Sequence, residues 1–447
     1  MRENAPMATI EQRPVRLVVR DDLARSRLTV FFRLFLAIPL FIWVALRGIA
    51  AAVVGFVNWL AVLIQGEVPD SLHDFVASYI RYSTQVSAYV FLAANPYPWF
   101  RCQSDYPVDV AIDPPVQQGR WGGFFRLLLA LPALAIATAL GSGFTTGSSG
   151  QGSWTASNGN RETAWWGVSS LGGAAAACAF LAWFFIVARG RAPRGLRDLI
   201  AFALGYGAQA AGYLLLLTPR YPTSDPALAE PYSDLAEHPV RAAVTDDLGR
   251  PRLTVLFRLF LAIPHLVWIV LWSLVVFVVA PLVWVIAIVL GRLPDALHRF
   301  LAAYIRYATH LVAFVYVIGR RFPGFTGRAG SYGIDVEIDP PERQHRLTIL
   351  FRFLLALPAF VVASALGGVA LLIAFLGWWF ALATARMPEG MRNLGVSCLR
   401  YSAQTYAYSL LVTWRYPSAA PVLRQRAPEF EPRPIVDPYA PVLGDTF

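Results

Sequence analysis

Along this 447-residue chain the spacing of apolar positions switches between two periods, and the switch recurs four times. Four five-residue stretches alternate with period two: VRLVV at 15–19, VDVAI at 108–112, VRAAV at 240–244 and IDVEI at 334–338. Such alternation predicts short, half-buried strands. Asp-Pro-Pro at 113–115 and 339–341 ends two of them, because proline cannot donate to a ladder. After each strand comes a long apolar run that opens on arginine. RLTVFFRLFLAIP at 27–39 returns as RLTVLFRLFLAIP at 252–264, an offset of 225 residues that holds without a gap from Val15 to Tyr82. Weaker copies read RWGGFFRLLLALP at 120–132 and RLTILFRFLLALP at 346–358. The chain is four repeats in two tandem halves.

The units are 14–105, 106–226, 239–331 and 332–420, with a linker at 227–238. Residues 1–13 and the proline-rich 421–447 lack apolar periodicity and read as disordered ends. In each unit two arginines stand six apart: Arg27/Arg33, Arg120/Arg126, Arg252/Arg258 and Arg346/Arg352. A proline follows six residues later, at Pro39, Pro132, Pro264 and Pro358, and predicts a kink. The run Leu259–Leu290 is 32 residues, roughly 48 Å as a helix, too long for one upright span. The second unit carries a Gly/Ser-rich insertion, 141–171, at the level of Arg47-Gly48 and Leu366-Gly367-Gly368. Such a stretch does not belong in hydrocarbon. We therefore expect an interfacial helix A (28–46), a spanning helix B (48–65) and, after a polar turn, a helix C that returns across the membrane. The reading is an all-α polytopic membrane protein with short cytoplasmic strands, about eight transmembrane helices and kinked interfacial helices. Twelve spans result instead if every helix A crosses. The halves are expected to be related by a rotation near 180° about the membrane normal. Arginine excess puts the strands and both termini in the cytoplasm of a multi-pass plasma-membrane protein.

Composition agrees with that class. Hydrophobic residues make up 56% and charged residues 15%, and mean hydropathy is +0.50. All 38 basic residues are arginine and the net charge is +10, which suits anionic headgroups. The three cysteines, Cys102, Cys178 and Cys398, have no metal spacing and no repeat-equivalent positions. Residues 1–13 hold no signal-peptide apolar stretch, so the first membrane helix is expected to serve as its own insertion signal.

The arginine-led start, Phe257-Arg258-Leu259-Phe260-Leu261-Ala262-Ile263-Pro264, the turn with Gly291 and Pro294, and Tyr304, Arg306 and Tyr307 carry a resemblance. Together with a terminal Tyr-Pro, the pattern resembles an uncharacterised, largely actinobacterial family of membrane domains of unknown function. It covers most of 14–420. The second unit departs most, with Gly205 where the others have Arg81, Arg306 and Arg400. The resemblance implies an integral membrane protein and no established chemistry.

Comparison of the repeats with one another isolates candidate positions. Thirteen, sixteen and twenty residues after the turn proline stand Tyr82, Tyr206, Tyr307 and Tyr401, then Gln85, Gln209, His310 and Gln404, then the aromatics Tyr89, Tyr213, Phe314 and Tyr408. The spacing puts them on one helical face, expected either to glue C helices together or to line a polar path. Arg81, Arg306 and Arg400 call for a partner: a carboxylate such as Glu67, Asp70, Asp295 or Glu389, or a lipid phosphate. Arg33, Arg126, Arg258 and Arg352 are the candidates for lipid headgroup binding, beside a purely topological role. Replacing Arg258 and Arg352 by Gln is then expected to weaken lipid association more than folding. His73 and His298 lie three after Asp70 and Asp295 but lack a third ligand or a nucleophile. No catalytic residue, metal site, cofactor or phosphate loop is expected, and the arginines form no separate nucleic-acid-binding domain. The expected function is non-enzymatic: binding or organising anionic lipids, or scaffolding cell-envelope partners. The alternative is a solute channel or secondary transporter.

Overall fold

The computed structural model describes residues 13–103, 105–141, 173–228 and 238–421. The disordered ends, most of the insertion and most of the linker read from the sequence lie outside the described residues.

Each unit contributes a strand, a short helix, a long helix and a 21-residue helix. Unit 1 holds β1 (Val15–Val19), α1 (Arg27–Phe31), α2 (Arg33–Ile64) and α3 (Asp70–Val90). Unit 2 holds β2 (Val108–Ile112), α4 (Arg120–Phe124), a long helix in two pieces, α5 (Arg126–Leu140) and α6 (Ala174–Arg189), and α7 (Arg194–Leu214). Unit 3 follows with β3 (Val240–Val244), α8 (Arg252–Leu256), α9 (Arg258–Leu290) and α10 (Asp295–Val315). Unit 4 has β4 (Ile334–Ile338), α11 (Arg346–Leu350), α12 (Arg352–Thr384) and α13 (Glu389–Ser409). A 3-10 turn, Pro226–Leu228, follows unit 2. The four strands occupy the ranges read from period-two alternation.

The expected division into helices A and B does not occur. Helix α2 runs unbroken through Pro39, Arg47 and Gly48, α9 through Pro264 and Pro281, and α12 through Pro358, Gly367 and Gly368. A proline removes one backbone bond, and that single loss does not end these helices. The break lies earlier, at Phe32, Phe125, Phe257 and Phe351, where φ is −93°, −86°, −91° and −94° and ψ is near 10°. Each break separates the short arginine-led helix from the long one. Long helices end on left-handed residues: Gly66, Gly190 and Gly291, with Ala385 in unit 4. Proline N-caps (Pro69, Pro193, Pro294, Pro388) then start the 21-residue helices. Acids in the first turn of three of them, Asp70, Asp295 and Glu389, suit the positive end of the dipole.

Among the described residues three helices, α2, α9 and α12, are long and apolar enough to cross a membrane. The 21-residue helices expected to return across it are not among these; α3 carries Asp70, Asp74 and Arg81. They form the interior instead. In each half the two 21-residue helices pack against each other, α3 on α7 and α10 on α13. A two-stranded antiparallel sheet covers each pair, β1 with β2 and β3 with β4. The registers are symmetric: Val15 faces Ile112, Leu17 faces Val110 and Val19 faces Val108, and Val240 faces Ile338 with Ala242 opposite Val336. The short helices cross over, α1 onto α6 and α4 onto α2, and likewise α8 onto α12 and α11 onto α9. Indole N–H groups latch them: Trp59 donates to Gly123 O (3.1 Å), Trp284 to Ile349 O (3.0 Å) and Trp378 to Val255 O (3.2 Å). The halves join where α12 meets α5 and α6. The buried cluster there takes repeat-equivalent positions from both sides, Leu140, Ala174 and Cys178 with Leu366, Val369 and Ile373. The long helices of units 1 and 3 stay at the periphery, with only 17% of their most apolar windows buried against 39% for α12.

Candidate membrane interface

The second arginine of each pair lies inside the protein. Arg33, Arg126, Arg258 and Arg352 are at most 4% exposed. Each guanidinium sits over the aromatic ring twenty residues past the turn proline: Tyr89 at 4.3 Å, Tyr213 at 4.2 Å, Phe314 at 4.6 Å and Tyr408 at 4.1 Å. Their other partners are oxygens at the end of the 21-residue helix or just beyond it and, in units 2 and 4, the amide oxygen of a glutamine eight residues before the arginine. Arg33 Nη1 donates to Tyr89 O (2.8 Å) and Ala94 O (2.9 Å), and Arg258 Nη1 to Phe314 O (2.8 Å). Arg126 donates to Thr218 O (3.0 Å) and Gln118 Oε1 (2.6 Å), and Arg352 to Gln344 Oε1. Among the described residues no carboxylate pairs with any of the four. The negative end of a helix dipole and a π face hold each charge instead. This placement corrects the headgroup role expected of them: the bend at the preceding phenylalanine turns each one inward.

A fourth polar position of this station escapes the sequence reading. Leu92, Leu216, Val317 and Leu411, one residue past each helix C-cap, take φ of 65°, 65°, 63° and 61°, an uncommon conformation for such side chains. The carbonyl of each accepts a side-chain hydrogen bond, from Arg25 (3.2 Å), Gln118 (2.5 Å), Arg250 (2.9 Å) and Gln344 (2.7 Å) respectively. These four residues stand eight before the second arginine, and that fixed spacing was the signal available. Arg25 and Arg250 are also paired with Asp21 and Asp246, at 2.6 and 2.7 Å.

The expected polar face is spent on internal bonds. Gln85, Gln209 and Gln404 each accept a main-chain N–H from later in the same unit: Gln103 at 3.2 Å, Thr223 at 3.0 Å and Ser418 at 3.0 Å. Gln404 also donates to Val240 O in β3 (2.8 Å), and Gln85 to Asp109 in β2 (3.2 Å). His310 Nε2 lies 2.8 Å from Asp335 Oδ1 in β4. These side chains tie one unit's helix to the partner unit's strand. Tyr307 meets His265 at 2.8 Å, and Tyr82, Tyr206 and Tyr401 are buried among apolar side chains. The partner of Arg81 is Asp109 rather than Glu67 or Asp70. Arg306 donates to Val336 O (2.9 Å), and Arg400 to Ala420 O. His73 and His298 are buried, and among the described residues no three His, Cys, Asp or Glu side chains gather as metal ligands.

What faces outward is the first arginine of each pair. Arg27, Arg120, Arg252 and Arg346 are exposed, and each heads a short helix whose outer residues are apolar. Leu28 and Phe31, Trp121 and Phe124, Leu253 and Leu256, and Leu347 and Leu350 are all at least half or nearly half exposed. Arg252 reaches Ala383 O (2.8 Å) and Arg346 reaches Val289 O (3.1 Å), at the ends of the partner units' long helices.

The same arginine-led segments begin three of the four stretches, 27–101, 252–326 and 346–420, that match a domain of unknown function, DUF4389; the remaining stretch is 164–224. The chain belongs to the DUF4389 family. The DUF4389 match starts on the first arginine, not the buried second one, and leaves the strands out. In unit 2 it starts beyond the arginine pair, as expected of the most divergent repeat. No curated protein and no solved structure matches the chain.

Proposed function

We propose that this protein is a non-enzymatic integral membrane protein that binds or organises anionic lipids, and that Arg27, Arg120, Arg252 and Arg346 are its headgroup contacts. The observation that carries the reading is the fourfold pairing of an exposed arginine with exposed Leu, Phe or Trp on the same short helix. Apolar side chains reach acyl depth while guanidinium reaches phosphate. The long helices continue the apolar surface; α2 and α9 are exposed along most of their length. A scaffolding role toward envelope partners is compatible with the same surface. The alternative, a solute path along Gln85, Gln209, His310 and Gln404, has less support because those groups are engaged in hydrogen bonds within the protein.

The test is the quadruple variant Arg27→Gln, Arg120→Gln, Arg252→Gln and Arg346→Gln in the full chain. Each basic group near an anionic surface contributes roughly 1 kcal/mol. Native mass spectrometry should therefore find markedly less retained phosphatidylglycerol, with retained phosphatidylcholine unchanged. Equal phosphatidylglycerol retention by the variant and the parent protein would sink the reading.

A further inference from the structure

We infer that the long helices lie flat within one leaflet, with both sheets on the same aqueous side, rather than crossing the bilayer. The inference rests on the membrane reading above and deepens it.

The argument begins with symmetry. Strands β1 and β2 are repeat-equivalent and pair in a register centred on Leu17 and Val110, so a local two-fold axis passes through that pair. The same holds for β3 and β4 about Ala242 and Val336. Next come the helix ends. The turn after each long helix bonds to the segment just before the partner unit's short helix. Gln118 N donates to Gly66 O (2.8 Å), Arg25 N to Gly190 O (3.0 Å), Gln344 N to Gly291 O (2.8 Å) and Arg250 N to Ala385 O (2.8 Å). Each long helix therefore starts beside the end of its symmetry mate. A line drawn from a point to its two-fold mate is perpendicular to the axis, so the long helices run perpendicular to the axis that pierces the sheet.

Two limiting placements respect this. If α2 and α9 stand upright, the axes lie in the bilayer midplane and both sheets sit at mid-depth. If they lie flat, the axes follow the membrane normal and the sheets sit to one side. The sheets decide between these. Arg16 and Asp113 form an ion pair at 3.1 Å with side chains 34% and 40% exposed. Arg241 pairs with Asp339 at 2.7 Å and with Glu337 at 3.4 Å, all about one-third exposed. Partly exposed ion pairs belong in water, not at the centre of a hydrocarbon layer.

The apolar surface agrees. On α2 it runs from Phe35 through Ile42, Ile49 and Phe56 to Ile64, all exposed, with no exposed charged residue between them. A helix of this length extends roughly 48 Å, against about 30 Å of hydrocarbon. Upright, its apolar ends would protrude into water or demand a tilt of about 50°, outside the usual range. Flat, the residues of this stripe share one depth. The four exposed arginines then ring the embedded surface at one level.

The test uses the full chain with Cys102, Cys178 and Cys398 changed to Ala. Ser26→Cys and Glu67→Cys are introduced singly; both positions are exposed and bracket α1 and α2. In sealed vesicles of known orientation, an impermeant maleimide should label both from the same side. Labelling from opposite sides, with the protein retained after alkaline carbonate, would overturn the flat arrangement and leave the membrane reading intact. Release into carbonate would overturn both. Nitroxides at Phe35, Ile49 and Ile64 give an independent measure in vesicles: equal depths are expected, and a midpoint more than 10 Å deeper than the ends would overturn the inference.

Discussion

At the scale of single residues, the two arginines of each repeat do opposite things. Six residues along an unbroken helix turn the side-chain direction by roughly 240°, so the pair could never share one face. Which member turns inward is decided by the bend at the intervening phenylalanine, and no periodicity read from sequence announces that bend. The spacing of arginine, proline and aromatic was legible; the assignment of inside and outside was not. The consequence is testable. Arg258 donates to Phe314 O and packs on the Phe314 ring while 1% exposed. Arg258→Gln should lower stability by about 1.5–3 kcal/mol for each charge-assisted bond lost. Arg258→Lys should destabilise as well, since an ammonium lacks the planar fork. Thermal unfolding in detergent would measure both, and lipid retention per folded molecule should not change. This reverses the ordering expected from sequence, where lipid association was to suffer first. An Arg258→Gln protein that melts normally but loses phosphatidylglycerol would restore that ordering.

At the scale of elements, the strands were readable to the residue because period-two alternation over five residues is unambiguous, and Asp-Pro-Pro marks two of the ends. The Gly/Ser insertion of unit 2 suggests a water-accessible break in every unit, yet the long helices of units 1, 3 and 4 have none. It marks an interruption of unit 2 alone. Its flanks explain how the fold accommodates it. Gly141 takes φ +79°, and a Cβ there would lie 3.0 Å from the nitrogen of Gly173, so the two ends of the insertion touch. Joined directly, Leu140-Gly141-Gly173 would read Leu-Gly-Gly, the same as Leu366-Gly367-Gly368 in the unbroken α12. Excision of 142–172 should therefore fuse α5 and α6 into one helix. Its melting temperature should match or exceed that of the parent, because a long closed loop is removed from the folded state. Circular dichroism should report no loss of helix. Loss of the folded species on excision would mean that the insertion supplies structure of its own.

At the scale of the whole molecule, the joint between the halves repeats the logic of the repeats. The 225-residue offset, legible at once, told of duplication but not of which units would touch. Contact falls to units 2 and 4, with Ala174, Ala175 and Cys178 against Val369, Ala370 and Ile373 at the crossing. Small side chains let the two backbones approach closely, and equivalent positions on both sides make the interface self-complementary. Units 1 and 3 remain peripheral. A polar contact reinforces the joint away from the crossing. Asn393 of unit 4 donates to Asp225 of unit 2 (2.9 Å). The joint therefore does not depend on the covalent connection. A protease site placed within 229–237 and cleaved after purification should leave both halves migrating as one species in mild detergent. Ala370→Trp in the same cleaved protein should separate them. Ala370 is 2% exposed, and forcing so large a side chain into a packed crossing costs about 1–3 kcal/mol or more. Dissociation of the cleaved parent protein would mean that the linker, not the crossing of α12 with α5 and α6, holds the halves together.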